Sequence, residues 1–215
     1  MNPPFSTDLV LLHADASLLA IDKPSGLLSV PGRGELAHDS AVQRLARDHP
    51  DVKVVHRLDM ATSGLLLFAL GLQAQRTLSH RFASREVHKG YVAVVAGEVQ
   101  ADAGDIDAPL IADWPQRPRQ KIDWVQGKPS LTRFQVIGRD ARQGTTRLAL
   151  TPLTGRSHQL RVHLAHLGHP ILGDALYAPP HVVQQADRLL LHACAIEMLH
   201  PNGQDRLALR CEAPF

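Results

Sequence analysis

The chain has 215 residues, a net charge of +2, 44% hydrophobic residues and 4% aromatic residues. These values are typical of a soluble globular protein, and a charge so close to zero does not by itself indicate a nucleic-acid-binding protein. The longest apolar run, residues 65–70, is too short to cross a bilayer, and the N-terminus lacks the basic and then apolar order of a signal peptide. We therefore expect a cytoplasmic protein with no membrane association. Cys194 and Cys211 are expected to pack in the core as thiols, with a disulfide between them left open.

The apolar pattern predicts most of the secondary structure in chain order. The first half shows two paired strands, a Gly- and Pro-rich loop, a helix, a buried strand and a second helix: residues 9–13, 18–22, 23–35, 40–48, 64–70 and 73–84. The second half shows a strand, a long excursion, a hairpin of two strands, a helix that ends at Gly168, and two final strands: residues 91–99, 100–129, 131–137, 145–150, 160–167, 188–199 and 206–211. Strands outnumber helices and many neighbours look antiparallel. We therefore expect an α+β fold with a large mixed sheet.

Two segments concentrate basic residues. The first holds Arg76, Arg81, Arg85 and Lys89 together with His80 and His88, and the second holds Arg117, Arg119 and Lys121 beside Trp114. Clusters of this kind can contact phosphates, and an aromatic side chain beside them can stack on a base. On charge alone, a solvated surface is the more frequent explanation.

A run of histidines, His158, His163, His166 and His169, raises the possibility of a metal site, because spacings of three or four place ligands on one helix face. No cysteine or acidic residue lies within the run, so a basic helix face is the favoured interpretation. A metal-dependent hydrolase stays as an alternative, and loss of activity to a chelator would indicate it. A Ser-His-Asp hydrolase fits less well because Ser63 precedes its strand, whereas a nucleophile elbow needs the reverse order.

Residues 55–68 read VHRLDMATSGLLLF, so that Asp59 stands among polar residues directly before an apolar strand. A surface turn, or an ion pair between Asp59 and Arg57, would explain the arrangement without chemistry. A loop that delivers a catalytic carboxylate into a pocket would explain it as well. Thr62, Ser63 and Gly64 are expected to shape this loop, and Gly64 can do so because glycine tolerates backbone conformations that a side chain forbids.

The residues HRLDMATSG (56–64) resemble the catalytic motif of the RluA family of pseudouridine synthases. Four further blocks occur in the family's order: KPSGLL (23–28), KGY (89–91), TGRSHQLRVH (154–163) and LLLHA (189–193). Three more resemble family members that modify both a tRNA and 23S rRNA: PLIADWPQRPRQK (109–121), GKP (127–129) and HPILGD (169–174). The resemblance covers nearly the whole chain.

This resemblance implies the pseudouridine synthase fold, a large, mostly antiparallel mixed sheet with flanking helices and a central RNA-binding cleft. It implies a single catalytic domain over residues 1–215, without the S4-like N-terminal RNA-binding domain of several relatives. The implied reaction is an isomerisation in which the uracil N1–C1′ bond breaks, the base turns over and C5 joins C1′. It needs no cofactor and no metal. It does need a carboxylate near C1′, which either attacks C1′ or takes a proton from C2′.

The family motifs also assign residues. They imply that Asp59 is the catalytic carboxylate, that Arg156 is the guanidinium beside it, and that Tyr91 stacks on the target uracil. Arg57 is expected to fill the gap that the uracil leaves in the RNA stack. Further RNA contacts are expected from Leu190, Leu191, Arg117 and Arg119. From position alone, Tyr91 and the two leucines would be core residues, and Arg156 would be a phosphate contact. Gly90 within KGY is expected to loosen the start of the strand.

The expected substrates are loop uridines of a tRNA anticodon stem-loop and of a 23S rRNA hairpin. We expect a monomer without an obligate protein partner. The alternative is an RNA-binding protein that uses the same cleft without chemistry. The change Asp59→Asn distinguishes the two, because it should abolish turnover by an enzyme and leave RNA binding largely intact.

Overall fold

The computed structural model describes residues 9–32 and 39–215, so the N-terminal residues and the end of the predicted loop at 23–35 lie outside the described residues. The chain divides into two compact units. The first comprises Met1–Val87 and Ile196–Cys211, and the second comprises His88–Ala195 and Glu212–Phe215. In the described part of the chain, no helix is long and apolar enough to cross a bilayer. The prediction of one catalytic domain over 1–215 stays a prediction.

The first unit is built on strands that pair antiparallel around a buried central strand. Its elements are β1 (Val10–Ala14), β2 (Leu18–Lys23), α1 (Ala41–Leu45), β3 (Val52–Val54), β4 (Ser63–Leu70) and α2 (Gly71–Ala83). Strand β2 pairs with β1 on one side and β4 on the other, and β3 pairs with the end of β4. All but the last residue of β4 are buried, as its continuous apolar sequence predicts.

The second unit contains the strands that follow and two short helices. Its elements are β5 (His88–Ala96), β6 (Ala103–Asp107), β7 (Leu110–Ala112), β8 (Gln120–Ile122), β9 (Leu131–Asp140), β10 (Thr145–Pro152), α3 (Gln159–His166) and α4 (Pro180–Val183). Strands β5, β10, β9 and β6 pair in that order, all antiparallel. Strand β11 (Leu191–Leu199) begins in this unit and ends in the first, and it pairs with β12 (Arg206–Arg210).

Most predicted elements are confirmed, including both hairpins and the helix that ends at Gly168 with φ of +88°. The helix predicted at 40–48 ends earlier, at Leu45. The N–H groups of Asp48 and His49 bond back to the Leu45 carbonyl and form a turn before Pro50. The predicted excursion at 100–129 contains strands that the sequence pattern did not reveal, β6, β7 and β8, and β7 and β8 are only three residues long. The predicted strand at 188–199 begins only at Leu191.

The two cysteines form no disulfide: Cys211 is buried and Cys194 is half-buried. This confirms the expected thiols within the described residues. The α+β class with mostly antiparallel strands is also confirmed.

Asp15 organises the turn between β1 and β2. Its Oδ1 accepts hydrogen bonds from the N–H groups of Ser17 at 2.7 Å and Leu18 at 3.0 Å. Its Oδ2 pairs with Nε2 of His13 at 2.6 Å and with Nε2 of His200 at 3.0 Å. Burial raises the pKa of the Asp15 carboxyl, but these hydrogen bonds outweigh burial and lower the pKa to about 2.

We predict that Asp15→Asn, which retains an acceptor for the turn, lowers the free energy of unfolding at pH 7 by about 1–2 kcal/mol. The pKa of the folded state lies below that of the unfolded state. The carboxylate therefore stabilises the fold above pH ~4, and this contribution is lost as the pH falls towards about 2. Urea denaturation of both proteins should show a difference that shrinks between pH 4 and pH 2. A difference independent of pH would show that the charge is not responsible.

Candidate active site

Asp59 lies half-buried on a turn between β3 and β4. The Thr62 N–H closes this turn by donating a hydrogen bond to the Asp59 carbonyl at 3.1 Å. Leu58 is buried, whereas Met60 is exposed. Gly64 has φ of +106°, a conformation that glycine adopts without steric cost, so its predicted role in shaping the loop is confirmed.

Ser29 holds the residue before Asp59 by both of its backbone groups. The Ser29 Oγ accepts a hydrogen bond from the Leu58 N–H at 3.0 Å and donates one to the Leu58 carbonyl at 2.7 Å. Both residues are buried, and a buried backbone group without a partner costs about 1–3 kcal/mol. The hydroxyl therefore fixes the peptide that leads into Asp59.

Lys23 holds the residue after Asp59. Its side chain is fully buried at the end of β2, with 0% exposure. The Nζ donates hydrogen bonds to the carbonyls of Pro24 and Leu27, both at 2.8 Å, and to the carbonyl of Met60 at 3.1 Å. Three acceptors match the three donors of an ammonium group, which offsets the cost of burying the charge.

Two more hydrogen bonds join the same segments. The Ser25 Oγ donates to the Ala61 carbonyl at 2.7 Å, and the Gly26 N–H donates to the Met60 carbonyl at 2.9 Å. Together with Lys23 and Ser29, these bonds attach the KPSGLLS segment (23–29) to the backbone of residues 58–61. We call this set of bonds the backbone clamp.

His56 is held on the other side of the loop. Its Nε2 accepts a hydrogen bond from the Leu67 N–H at 2.9 Å, and its ring stacks on Phe82 with 4.5 Å between centroids. An imidazole nitrogen that accepts from the backbone is not available as a proton acceptor, so His56 positions the loop. Arg57, by contrast, is exposed.

In the second unit, Tyr91 lies half-buried on β5, opposite Leu150 of β10. A Cβ added to Gly90 would lie 3.2 Å from the Cβ of Ala195 and 3.6 Å from the Sγ of Cys194. Glycine at this position therefore allows the chain at 194–195 to approach β5. The expected loosening at Gly90 is wrong, because β5 already begins at His88.

Arg156 lies exposed on the loop between β10 and α3, and Gln159 fixes that loop. The Oε1 of Gln159 accepts hydrogen bonds from the Arg156 N–H at 3.0 Å and from the Thr154 hydroxyl at 2.7 Å. Its Nε2 donates to the Leu131 carbonyl and to the Thr132 Oγ1, both at 3.0 Å. All four hydrogen-bonding positions of this buried amide are therefore used, so the backbone at Arg156 is rigidly placed.

The hydrogen bonds continue to His163, which is 0% exposed. Its Nδ1 accepts from the Thr132 hydroxyl at 2.9 Å, and its Nε2 donates to the Ala108 carbonyl at 3.0 Å. Burial lowers the pKa of His163, which keeps the ring neutral as this pattern requires. The interpretation of α3 as a basic helix face is therefore wrong. Arg161 is also buried there, and it forms an ion pair with Asp174.

The histidines of the run have separate partners. The Nδ1 of His158 contacts the Tyr177 hydroxyl at 2.6 Å, and the Nδ1 of His169 contacts the Ala96 carbonyl at 2.9 Å. His166 is exposed. The run therefore does not converge on one point as metal ligands would.

The predicted basic segments are only partly exposed. The Arg117 guanidinium lies over the exposed Trp114 ring, 3.0 Å from its centroid, and Arg119 donates to the Gln116 Oε1 at 2.9 Å. In the other segment, Arg81 is buried and donates a hydrogen bond to the His200 carbonyl. The prediction that Arg81 belongs to an exposed basic cluster is therefore wrong. Its neighbours Arg76 and Arg85 are exposed.

The predicted site residues fall into two sets. Arg57 and Asp59 lie in the first unit, and the others lie in the second: Tyr91, Arg117, Arg119, Arg156, Leu190 and Leu191. Leu191 is buried at the start of β11, and Leu190 is half-buried just before it. Sequence reasoning missed the supporting side chains of Lys23, Ser29 and Gln159. A signal was present, since all three lie within motif blocks or directly beside one.

We predict that Ser29→Ala lowers the free energy of unfolding by about 1–3 kcal/mol, because it leaves both backbone groups of Leu58 buried without partners. Amide hydrogen exchange across residues 58–62 should become faster. Ser25→Ala is the matched control with a smaller effect, since Ala61 is half-buried and water can replace the lost donor. Equal effects of the two changes would contradict the role assigned to Ser29.

Comparisons with known proteins agree with this architecture. Residues 17–166 match the RNA pseudouridylate synthase family. The Dual-specificity RNA pseudouridine synthase RluA of Vibrio cholerae is 51% identical over 202 residues, which cover 94% of this chain and 82% of the relative. The protein of that name from Escherichia coli K12 is 48% identical over 214 residues, covering 100% of this chain and 97% of the relative.

Solved structures show the same fold. Human RNA Pseudouridylate Synthase Domain Containing 1 has a TM-score of 0.82 at 28% identity, covering 100% of this chain and 87% of its own. Human RNA Pseudouridylate Synthase Domain Containing 4 has a TM-score of 0.75 at 24% identity, covering 95% and 88%, and supports the fold alone. The predicted pseudouridine synthase fold is confirmed. By its sequence along nearly the whole length, the chain belongs to the RluA family of RNA pseudouridine synthases.

Proposed function

We propose that Asp59 is the catalytic carboxylate of this synthase, that Arg156 and Tyr91 act with it on the target uridine, and that the targets lie in a tRNA anticodon stem-loop and a 23S rRNA hairpin. The observation that carries the proposal is the backbone clamp. Lys23 and Ser29 are buried. They form hydrogen bonds with the backbone of Met60 and Leu58, the residues on either side of Asp59. Such rigid placement is what a catalytic group requires, and a surface turn does not need it.

The chemistry makes one demand on Asp59, an ionised carboxylate beside C1′. As a nucleophile it would form a bond to C1′ while the N1–C1′ bond breaks and the electron pair leaves with uracil. As a base it would take the C2′ proton during the same departure. In both routes the base turns over and C5 bonds to C1′. In the first route this step breaks the bond between Asp59 and C1′, and in the second the proton returns to C2′. The C5 hydrogen then leaves as a proton, and N1 carries a proton in the product. The product is an isomer of the substrate, so no oxidant or reductant enters the balance.

Arg156 is suited to keep such a carboxylate charged. An exposed guanidinium on a fixed backbone can approach a carboxylate and favour its ionised form. A contact to a substrate phosphate uses the same geometry, and both roles are compatible with catalysis. The Gln159 hydrogen bonds support either role, because they fix the loop that presents Arg156.

Tyr91 would stack on the target base once it leaves the RNA stack, and Arg57 would fill the position that the base vacates. A half-buried tyrosine offers a ring for the uracil, with Leu190 and Leu191 as the apolar wall that we propose for its pocket. Unstacking a base costs about a few kcal/mol. The exposed and planar Arg57 guanidinium can occupy the vacated position and recover part of that cost.

The proposed targets rest on the relatives and on one surface. The curated relatives are dual-specificity RNA pseudouridine synthases. The segment with Trp114, Arg117 and Arg119 presents an exposed ring and two guanidinium groups, which fit bases and phosphates of a folded RNA loop. We further propose that the enzyme acts as a monomer in the cytoplasm.

Tritium release from uridine labelled at C5 tests the proposal. The wild-type enzyme should release tritium from a tRNA with a uridine in its anticodon loop and from a 23S hairpin fragment. Asp59→Asn should lower the rate by about 10³-fold or more, as loss of an essential nucleophile or base does, with RNA affinity largely unchanged. Asp48→Asn, an exposed aspartate in the same unit, is the matched control and should keep full activity.

Full turnover by Asp59→Asn would contradict the assignment of the carboxylate. Release from only one transcript would remove the other target from the proposal. The same assay in EDTA should proceed at an unchanged rate, and loss of activity there would instead indicate a metal-dependent step.

A further inference from the structure

Lys89 is a half-buried cation on the same strand as Tyr91. Side chains two residues apart on a strand point to the same face, about 7 Å apart along the chain. Lys89 and Tyr91 therefore present an ammonium group and an aromatic ring side by side. Gly90 between them faces the chain at 194–195 instead.

The Lys89 ammonium also lies against the loop that carries Arg156. A Cβ added to Gly155 would lie 3.5 Å from the Nζ of Lys89, which is ordinary contact distance. The Lys89 ammonium therefore lies beside the residue that precedes Arg156. Across the described ranges 9–32 and 39–215, neither Lys89 nor Arg156 forms an ion pair with a carboxylate.

An ammonium group in this position is poorly compensated by the protein. Burial lowers the pKa of Lys89, and among residues 9–32 and 39–215 no carboxylate opposes this effect. By comparison, the three donors of the buried Lys23 all have backbone acceptors. An anion supplied by a bound ligand would offset the cost of burying this charge.

We propose that Lys89 binds a phosphodiester group next to the uridine that stacks on Tyr91. This inference rests on the proposed function, since it requires RNA at this face. A phosphodiester carries its charge throughout the reaction, whereas uracil is neutral until the N1–C1′ bond breaks. A base on the Tyr91 ring brings its own backbone phosphates within reach of the neighbouring lysine, and a lysine ammonium binds phosphate as a compact point charge.

Salt-dependent RNA binding provides the test. The Asp59→Asn background keeps the RNA unreacted, and fluorescence anisotropy measures Kd for the tRNA stem-loop transcript over a range of salt concentrations. Lys89→Met should raise Kd about tenfold, as loss of a charged hydrogen bond does. It should also flatten the slope of log Kd against log salt by about 0.7. Lys89→Arg should keep the slope. Lys53→Met, on β3 of the first unit, is the matched control and should change neither quantity.

A second measurement starts with the enzyme that retains Lys89, so its first result does not depend on the folding of the Lys89→Met variant. A neutral methylphosphonate replaces one phosphodiester linkage at a time beside the target uridine. The Kd of each RNA is then measured with the enzyme that retains Lys89. One linkage should weaken binding to the enzyme that retains Lys89 by about tenfold, because the neutral linkage removes the charge that the ammonium binds, and no effect at any linkage would overturn the proposal. Combining that linkage with Lys89→Met should add little, because both changes remove one interaction.

The outcomes separate this inference from the function on which it rests. Tritium release by the wild-type enzyme decides the proposed function. If release occurs while Lys89→Met leaves Kd and slope unchanged, the phosphate contact is wrong and the function stands. A lower kcat with unchanged Kd and slope would place Lys89 at the reacting base and would also overturn the proposal. An additive effect of the methylphosphonate and Lys89→Met would do the same.

Discussion

The three hydrogen bonds that Lys23 donates to backbone carbonyls join two chain segments that are far apart in sequence. They attach the end of β2 and the loop after it to Met60, and Ser29 completes the attachment at Leu58. The pairing of β2 with β4 ends at Lys23, which lies opposite Gly64. The hydrogen bonds from the buried side chains extend that pairing into the loop, so that Asp59 sits on a backbone fixed on both sides.

In the second unit, the neutral side-chain amide of Gln159 fixes a loop in a similar way. Gln159 and Thr154 hold the loop of Arg156, as Lys23 and Ser29 hold the loop of Asp59. In both cases the proposed site residue stands on a backbone that buried side chains hold by hydrogen bonds. A backbone held in this way would limit the reorganisation that the proposed reaction requires.

The sequence predicted what depends on local pattern and motif. The apolar run of β4 and the glycine that ends α3 follow from spacing, and the candidate Asp59 follows from its motif. Histidine burial could not be predicted in the same way. His163 looks like part of a basic face, yet Thr132 and the Ala108 carbonyl, both distant in sequence, make it a neutral core residue. Short strands such as β7 and β8 carry too few residues to show a period.

The central proposal is that Asp59, Tyr91 and Arg156 act on one uridine that has left its RNA stack. A crystal structure of the Asp59→Asn enzyme bound to an RNA stem-loop that the wild-type enzyme modifies tests it most directly. We predict the target uridine outside the stack, its base against Tyr91, and C1′ within about 3.5 Å of the residue 59 side chain, the distance of a reactive approach. A uridine that remains stacked, or a C1′ that lies beside a different carboxylate, would contradict the claim.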